Sequence, residues 1–200
     1  MTGGMINNQA RTCGIDEVGR GPLAGPVVAA AAVLPAHHIF EGLRDSKQLS
    51  RTRREWWDQV IREQALAFGL GWVWPEEIDR INILQASLKA MRLAWEDLAT
   101  SRPVAAAAVD QFLIDGIHCP PGLPNPATAI PHGDTLEPAI MAASILAKVA
   151  RDSWMVEYSR LDERYGFERH KGYPSREHRA ALQQHGPCAI HRRSFRGVRR

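Results

Sequence analysis

Residues 14–26 read GIDEVGRGPLAGP and separate an apolar run at 11–15 from a second at 27–34. This order of apolar, glycine-rich and apolar segments predicts two strands joined by a turn. Asp16 and Glu17 stand side by side where the first strand reaches the turn. Two adjacent carboxylates repel each other, so a protein that keeps them together commonly binds a cation there. Taken alone, the pair is also what an ordinary solvated turn contains.

The geometry of a strand restricts how these two acids can share one ion. Successive side chains of a regular strand point to opposite faces, so we expect the strand to end or bulge at Asp16 and Glu17. Gly19 and Gly21 permit backbone conformations that other residues rarely adopt, and they let a ligand approach the main chain closely. The turn therefore combines acidic side chains with accessible backbone.

Composition limits the class of protein. The 200 residues are 44% hydrophobic and 24% charged, which is enough for one sizeable core and predicts a single domain. No apolar stretch reaches the roughly 20 residues of a membrane helix, so we expect a cytoplasmic protein without a membrane partner. Cys13, Cys119 and Cys188 match neither a disulfide framework nor a zinc motif. No apolar surface stripe demands a dimer, and a monomer is expected.

The net charge is +3, and the basic residues are concentrated in two segments. Residues 191–200 contain five arginines and no acid, and residues 44–54 contain a second basic run. Basic clusters commonly contact phosphates, although a solvated surface is their ordinary explanation. These segments favour a nucleic-acid partner only in combination with other signals.

Hydrophobic periodicity in the rest of the chain predicts alternating helices and strands. Ser50 and Ser175 are expected to cap helices, and Pro75 is expected to open one long helix. The predicted strands lie at 68–74, 104–114 and 127–130, and the predicted helices at about 50–66, 75–98, 136–165 and 175–184. Strands mixed with covering helices predict an α/β fold with a mixed sheet.

Two further acids, Asp115 and Asp134, are candidates to join Asp16 and Glu17 in one metal-binding cluster. Asp115 and Asp134 each follow the predicted end of a strand and adjoin a glycine, and sites in α/β proteins lie at such strand ends. Oxygen ligands without His or Cys favour Mg²⁺ or Mn²⁺, and two such ions support phosphodiester hydrolysis. Asp110 is excluded, because it begins the strand that Asp115 ends and would lie at the opposite edge of the sheet.

The helix predicted after Asp134 carries one polar stripe. Ser144, Lys148 and Arg151 share this stripe at 100° per residue, while apolar residues occupy the other side. The stripe begins near the acids and would bring these side chains to a phosphate, although a solvated face has the same periodicity. Tyr173 lies in a turn beside a lysine, which suits stacking on a sugar or base; a buried tyrosine at a helix entry has the same pattern.

Six motifs in this order resemble the ribonuclease HII family, the type 2 bacterial ribonucleases H. The motifs are GIDEVGRGPLAGPV at 14–27, DSK at 45–47, DG at 115–116, GD at 133–134, ASILAKV with RD within 143–152, and KGY at 171–173. The resemblance covers nearly the whole chain. It implies a ribonuclease H-like core over about residues 10–150, followed by additional C-terminal helices and a basic tail over about 151–200.

The resemblance also implies an activity and a set of roles. Family members are endonucleases that cut the RNA strand of RNA/DNA hybrids and cut 5′ to single ribonucleotides in duplex DNA, leaving 3′-hydroxyl and 5′-phosphate ends. The metal-binding and catalytic acids of the family match Asp16, Glu17, Asp115 and Asp134. The substrate-binding positions match Gly19, Arg20 and Gly21, which read the ribose 2′-hydroxyl; Tyr173, which packs on the sugar at the junction; and Ser144, Lys148, Arg151 and Lys47, which hold phosphates.

Two other readings remain open from the sequence. In the sibling family, ribonuclease HIII, a lysine usually replaces Arg20 and a substrate-binding domain precedes the core, whereas few residues precede Asp16 here. A non-catalytic hybrid-binding protein would keep the fold and the basic surface, and it would bind its ligand without turnover.

Overall fold

The computed structural model describes residues 11–35 and 49–198, and these form one five-stranded sheet. Its strands are β1 (Thr12–Val18), β2 (Val27–Val33), β3 (Ala67–Val73), β4 (Gln111–Asp115) and β5 (Ala127–Ile130). They are ordered β3-β2-β1-β4-β5 across the sheet. The pairs β1 with β2 and β2 with β3 are antiparallel, whereas β1 with β4 and β4 with β5 are parallel. The predicted mixed sheet is confirmed.

Helices cover both faces of this sheet. They are α1 (Arg51–Gln64), α2 (Pro75–Ile81), α3 (Ile83–Ser101), α4 (Pro103–Ala107), α5 (Pro138–Leu161), α6 (Phe167–His170) and α7 (Arg176–His185), with short 3₁₀ turns at Gly133–Thr135 and Glu163–Tyr165. Helix α3 packs with alternate residues of β2 on one face, and α1 and α5 pack with the intervening residues on the other. None of the helices in the described ranges is long and apolar enough to cross a membrane.

Small residues bring these layers into close contact. Strand β2 reads VVAAAAV and is buried along its whole length. A Cβ at Gly69 or Gly71 would collide with the backbone of α3, and a Cβ at Gly14 would collide with the backbone of α5 at Ala139. Because these positions lack a side chain, α5 lies directly across β1, next to the acids that β1 carries.

The long helix predicted from Pro75 is two helices, which corrects the sequence-based interpretation. The chain breaks at Asn82, which adopts a left-handed φ of +66°. Its side-chain oxygen accepts hydrogen bonds from the backbone N–H groups of Leu84 and Gln85 at 3.0 and 3.1 Å. Asn82 therefore caps α3, and the periodicity of the apolar residues continues across the break because both helices pack on the same core.

The strand predicted at 104–114 was too long. Its first part is the short helix α4, and only Gln111–Asp115 forms a strand. Pro103 occupies the first turn of α4, where its fixed φ suits a helix, and the alanines that follow have the highest helix propensity. A run of Ala and Val has no period that separates a buried strand from a buried helix, and local propensity decided the outcome.

The C-terminal segment packs against the turn that follows β1. Leu23 and Ala24 join a third apolar cluster with side chains from α5, α7 and the final residues. The backbone N–H of Gly25 donates to Ile190 O, and that of Arg192 donates to Leu23 O, both at 2.8 Å. The start of the basic tail, at Arg192, is therefore buried against the turn that follows β1. The predicted division near residue 150 stays a prediction, since α5 runs across it.

Candidate active site

Four acids line one cavity at the edge of the sheet where β1 and β4 end. Ile15 and Ile114 are paired across these parallel strands, so Asp16 and Asp115 follow at the same edge. Strand β5 leads to the 3₁₀ turn that carries Asp134, whose backbone N–H donates to an Asp115 side-chain oxygen at 3.2 Å. The cavity, which we call the acid cavity, measures about 390 Å³ and is lined by Asp16, Glu17, Asp115 and Asp134.

The expectation that the strand ends or bulges at Asp16 and Glu17 was wrong. Strand β1 continues to Val18 in regular antiparallel pairing with β2. Strand β4 stops at Asp115, and its pairing with β1 extends only to Ile15. Because β1 has no neighbour on that side beyond this point, side chains from both of its faces reach the same opening.

Burial and mutual repulsion make this cavity unfavourable for bare negative charge. Burial, the neighbouring charge of Glu17 and the charge of Asp115 raise the pKa of Asp16 well above its usual range, against a hydrogen bond from Ser144. Burial also raises the pKa of Glu17 to about 7, although the nearby Arg20 opposes the shift. Arg20 lies 3.3 Å from a Glu17 oxygen but is itself half exposed, so its compensation is weak.

The chemistry of these side chains fits a hard divalent cation. Carboxylate oxygens are the ligands that Mg²⁺ and Mn²⁺ prefer. A cation would remove the repulsion that raises the pKa of Asp16 and Glu17. Within residues 11–35 and 49–198, no three His, Cys, Asp or Glu side chains already form a coordination group. The four acids therefore suit a divalent cation because they line one cavity, supply carboxylate oxygens and carry negative charge.

Helix α5 and the turn before α7 supply the other predicted side chains. Ser144 and Lys148 lie on the face of α5 that borders the acid cavity, and Tyr173 borders it from the turn. Lys148 Nζ lies 2.9 Å from an Asp152 oxygen and 5.7 Å from the centre of the Tyr173 ring. These contacts leave the amine at the cavity edge, where a phosphate oxygen would compete with Asp152 for it.

The glycine turn, which we define as residues 19–26, directly follows Glu17 and Val18, two residues that line the acid cavity. Gly19 has a φ of +96°, and a Cβ there would collide with the Arg151 side chain, so only glycine fits. Arg20 and Gly21 are exposed. A Cβ on Gly21 would lie 3.8 Å from the Tyr173 ring, so the turn and the ring face each other. An exposed backbone turn beside an aromatic ring presents the two kinds of group that bind sugars, a hydrogen-bonding main chain and an apolar face.

Arg151 was expected to face a substrate phosphate together with Ser144 and Lys148, but its side chain lies elsewhere. Its side chain is fully buried under the glycine turn, donating to Pro26 O at 2.9 Å and to Ala24 O at 3.1 Å. A buried guanidinium bonded to backbone carbonyls offers no free surface to a phosphate, so the structure replaces the expected phosphate contact with support of the turn. Lys47 lies outside the described residues.

Asp110 lies just before the start of β4, as the sequence predicted, and therefore away from the acid cavity. Its side chain accepts a hydrogen bond from the Arg11 backbone N–H at 2.8 Å, at the start of β1 and β4. That is the edge of the sheet opposite to Asp115, and the exclusion of Asp110 is confirmed.

A family model described as "Ribonuclease HII" matches residues 13–198. The chain belongs to the ribonuclease HII family. A curated relative, Ribonuclease HII of Polynucleobacter necessarius subsp. necessarius (strain STIR1), is 54% identical over 188 residues, which cover 94% of this chain and 93% of the relative. Ribonucleases HII are endoribonucleases, and the enzyme class expected from the sequence is confirmed.

Solved structures agree on the fold. Ribonuclease H2 from Pyrococcus horikoshii OT3 superposes with a TM-score of 0.74 at 27% identity, covering 94% of this chain and 95% of that chain. A Bst-RNase HIII in complex with Mn²⁺ superposes with a TM-score of 0.71 at 19% identity, covering 94% of this chain and 68% of that chain. The ribonuclease H-like fold is confirmed, and ribonuclease HIII shares that fold while the family match places this chain in ribonuclease HII.

A basic groove adjoins the acid cavity of this ribonuclease HII. Its lining includes Arg51, Arg54, Lys148, Lys171 and Tyr173, and three of these residues also line the acid cavity. Sequence reasoning missed Arg54 as a site residue, although the basic run at 44–54 contained the signal. It also missed Arg192, which is fully buried. Nothing local distinguishes Arg192 from the exposed arginines of the same tail.

Proposed function

We propose that the chain hydrolyses the RNA strand of RNA/DNA hybrids and cuts 5′ to single ribonucleotides in duplex DNA. One observation carries this proposal: Tyr173 lines the acid cavity and also faces Gly21 of the exposed glycine turn. Acids that favour a divalent metal therefore adjoin exposed backbone that suits a ribose. The adjacent basic groove supplies a path for the phosphates of a duplex.

Asp16, Glu17, Asp115 and Asp134 would hold Mg²⁺ or Mn²⁺. When bound, such ions supply activation of a water molecule and stabilisation of the departing 3′ oxygen, which yields 3′-hydroxyl and 5′-phosphate ends. A structural neighbour with the same fold, Bst-RNase HIII, was solved in complex with Mn²⁺, which supports this assignment. Ser144, which lines the acid cavity and hydrogen-bonds Asp16, would contact a substrate phosphate.

The remaining side chains bind and place the substrate. The backbone N–H groups of the glycine turn would hydrogen-bond the 2′-hydroxyl, the group that separates RNA from DNA. Tyr173 would stack on the neighbouring sugar, and its position opposite Gly21 supports that role. Lys148 would exchange its bond to Asp152 for a substrate phosphate. Lys47 is proposed as a further phosphate contact from the sequence motif alone.

The test is cleavage of a DNA duplex that contains one ribonucleotide, beside an all-DNA duplex, with Mg²⁺ and separately with Mn²⁺. We expect a single cut 5′ to the ribonucleotide and no cut in the control. A long RNA/DNA hybrid measures the second activity in the same assay. Tight binding of both ribonucleotide-containing substrates without any cut, in either metal, would overturn the proposal in favour of a non-catalytic hybrid-binding protein.

A further inference from the structure

The carbonyl groups of the glycine turn converge on two buried arginines. Arg192 donates from Nε to Gly25 O at 2.9 Å and from one terminal nitrogen to Arg20 O and Pro22 O at 3.1 and 2.9 Å. Its other terminal nitrogen donates to Gly19 O at 2.6 Å. One guanidinium thus joins four carbonyls along the turn, which fixes the path of the backbone between them.

Arg151, from helix α5, binds two further carbonyls of the same turn. It donates to Ala24 O and Pro26 O, the carbonyls that flank one of the Arg192 acceptors. Its guanidinium carbon lies 5.7 Å from the centre of the Tyr173 ring. The same arginine therefore lies against both the glycine turn and the Tyr173 ring.

These arginines are held without a carboxylate partner. Within the described ranges neither Arg151 nor Arg192 forms an ion pair, and both are fully buried. Burial and the nearby charge of Arg151 lower the pKa of Arg192 to about 9. A buried charge is destabilising unless hydrogen bonds compensate it. The carbonyls of the turn accept from all three guanidinium nitrogens of Arg192 and from two of the three of Arg151, whose Nη1 is buried without a partner among the described residues. The turn thus needs the Arg192 guanidinium as a donor for its carbonyls, and the buried guanidinium needs those carbonyls as acceptors.

The inward carbonyls leave the opposite side of the turn available to a ligand. Arg20 and Gly21 are exposed, and in the part of the chain that the structure describes their backbone N–H groups donate no hydrogen bond. Gly21 faces the Tyr173 ring. Free backbone N–H groups can donate to a ribose hydroxyl, the group by which a protein distinguishes RNA from DNA.

We propose that Arg192, supported by Arg151, is a positioning residue that sets the glycine turn for recognition of the ribose 2′-hydroxyl. This inference rests on the proposed function. It gives the C-terminal segment a part in substrate selection, although its arginine never touches the substrate. The side chain acts through the backbone: loss of the four-carbonyl contact lets the turn relax and moves the N–H groups away from the ribose.

The test separates recognition of the hydroxyl from general binding of nucleic acid. Asp16→Asn serves as the parent because we expect it to bind the duplex without cutting it. Binding is measured at one salt concentration to a duplex with one ribonucleotide and to the all-DNA duplex. Adding Arg192→Lys keeps the positive charge but not the four-carbonyl geometry. We expect the preference for the ribonucleotide duplex to fall by about five- to tenfold, with binding of all-DNA within about twofold of the parent.

Arg196→Lys is the matched control, since Arg196 lies in the same tail and is exposed. It should keep the full preference. Arg192→Ala provides a second measurement, because added guanidinium ion should partly restore the preference by occupying the vacated site, and it should not affect Arg196→Ala. If the Arg192 side chain only stabilised the fold, added guanidinium ion would not restore the preference for the ribonucleotide duplex.

Each result has a distinct meaning. Unchanged preference in folded Arg192→Lys, or no recovery of Arg192→Ala with guanidinium, would overturn the role of Arg192 while leaving the proposed function intact. A parent that shows no preference, together with a wild-type chain that makes no cut at the ribonucleotide, would overturn the proposed function itself.

Discussion

The acid cavity and the glycine turn are neighbours that bury charge of opposite sign in opposite ways. In the acid cavity, carboxylates crowd one another, and burial and repulsion raise the pKa of Asp16 and Glu17. In the turn, Arg151 and Arg192 are buried just as deeply, but backbone carbonyls surround them. The first region is complete only with a cation from outside. In the second region, the chain's own carbonyls accept from all three nitrogens of Arg192 and from two nitrogens of Arg151. The first region is therefore suited to bind a cation, and the second to support the turn.

The largest effect is expected from a change in the acid cavity that leaves the turn untouched. Asp16→Asn removes a proposed metal ligand, so cleavage of the one-ribonucleotide duplex should fall about a thousandfold or more, since enzymes accelerate reactions by at least about a millionfold. Binding should stay close to wild type, because no phosphate contact is lost. Initial rates and a binding titration measure both quantities; turnover near the wild-type rate would contradict the metal assignment.

The corresponding change in the turn should act on stability. Arg192→Met leaves four carbonyls without their donor and should lower the free energy of unfolding by about 2 to 4 kcal/mol. Urea denaturation measures this loss. Arg196→Met, in the same tail but exposed, should change it by less than about 0.5 kcal/mol. Equal losses in the two variants would show that the carbonyl contacts do not stabilise the turn.

A buried histidine pair beside Arg192 gives the turn side of the molecule its own pH dependence. His178 Nδ1 lies 2.9 Å from Tyr173 O, which only accepts, so it carries a proton, and His178 Nε2 accepts from His191 Nε2 at 3.0 Å. The remaining nitrogen of His191 then accepts from the Cys188 backbone N–H at 3.0 Å. Both rings are therefore neutral. Burial, followed by the repulsion that a protonated His178 would exert, lowers the pKa of His191 to about 4.

Acidification should therefore destabilise the fold through His191. Its folded-state pKa lies below the ordinary value of about 6.5, so the unfolded chain binds the extra proton between these values. The stabilisation is complete above about pH 6.5 and is lost as the pH falls towards 4, by about 3 kcal/mol. The difference in unfolding free energy between wild type and His191→Asn, measured at pH 7 and pH 4, isolates this effect. A difference independent of pH would refute it.

The smallest expected effect lies where the two regions meet. Tyr173→Ala should reduce cleavage at a single ribonucleotide about tenfold more than cleavage of a long hybrid, because stacking on one sugar matters most where only one is recognised. Tyr173→Phe keeps the ring and should stay near wild type. Parallel rate measurements on the two substrates give the ratio, and equal losses on both would remove Tyr173 from junction selection.

The difference between the two regions also explains what the sequence could and could not predict. Asp115 and Asp134 were predictable because strand ends and adjacent glycines are local signals. The position of Arg151 was not, since a helical stripe gives the face of a residue but not what packs on it. Arg192 bonds to carbonyls more than 160 positions earlier in the chain, and no local pattern encodes such contacts. The helix at Pro103–Ala107 was missed for another reason, the ambiguous period of an alanine-rich run.

The most direct measurement is the thermal midpoint of unfolding as Mn²⁺ is added to wild type, Asp16→Asn and Arg192→Met. If the acid cavity is completed by a cation, wild type should gain about 3 to 5 °C when the ion reaches about ten times its dissociation constant. Arg192→Met should gain the same amount from a lower starting midpoint, and Asp16→Asn should gain little. Equal gains in wild type and Asp16→Asn would contradict the assignment of the ion to these acids.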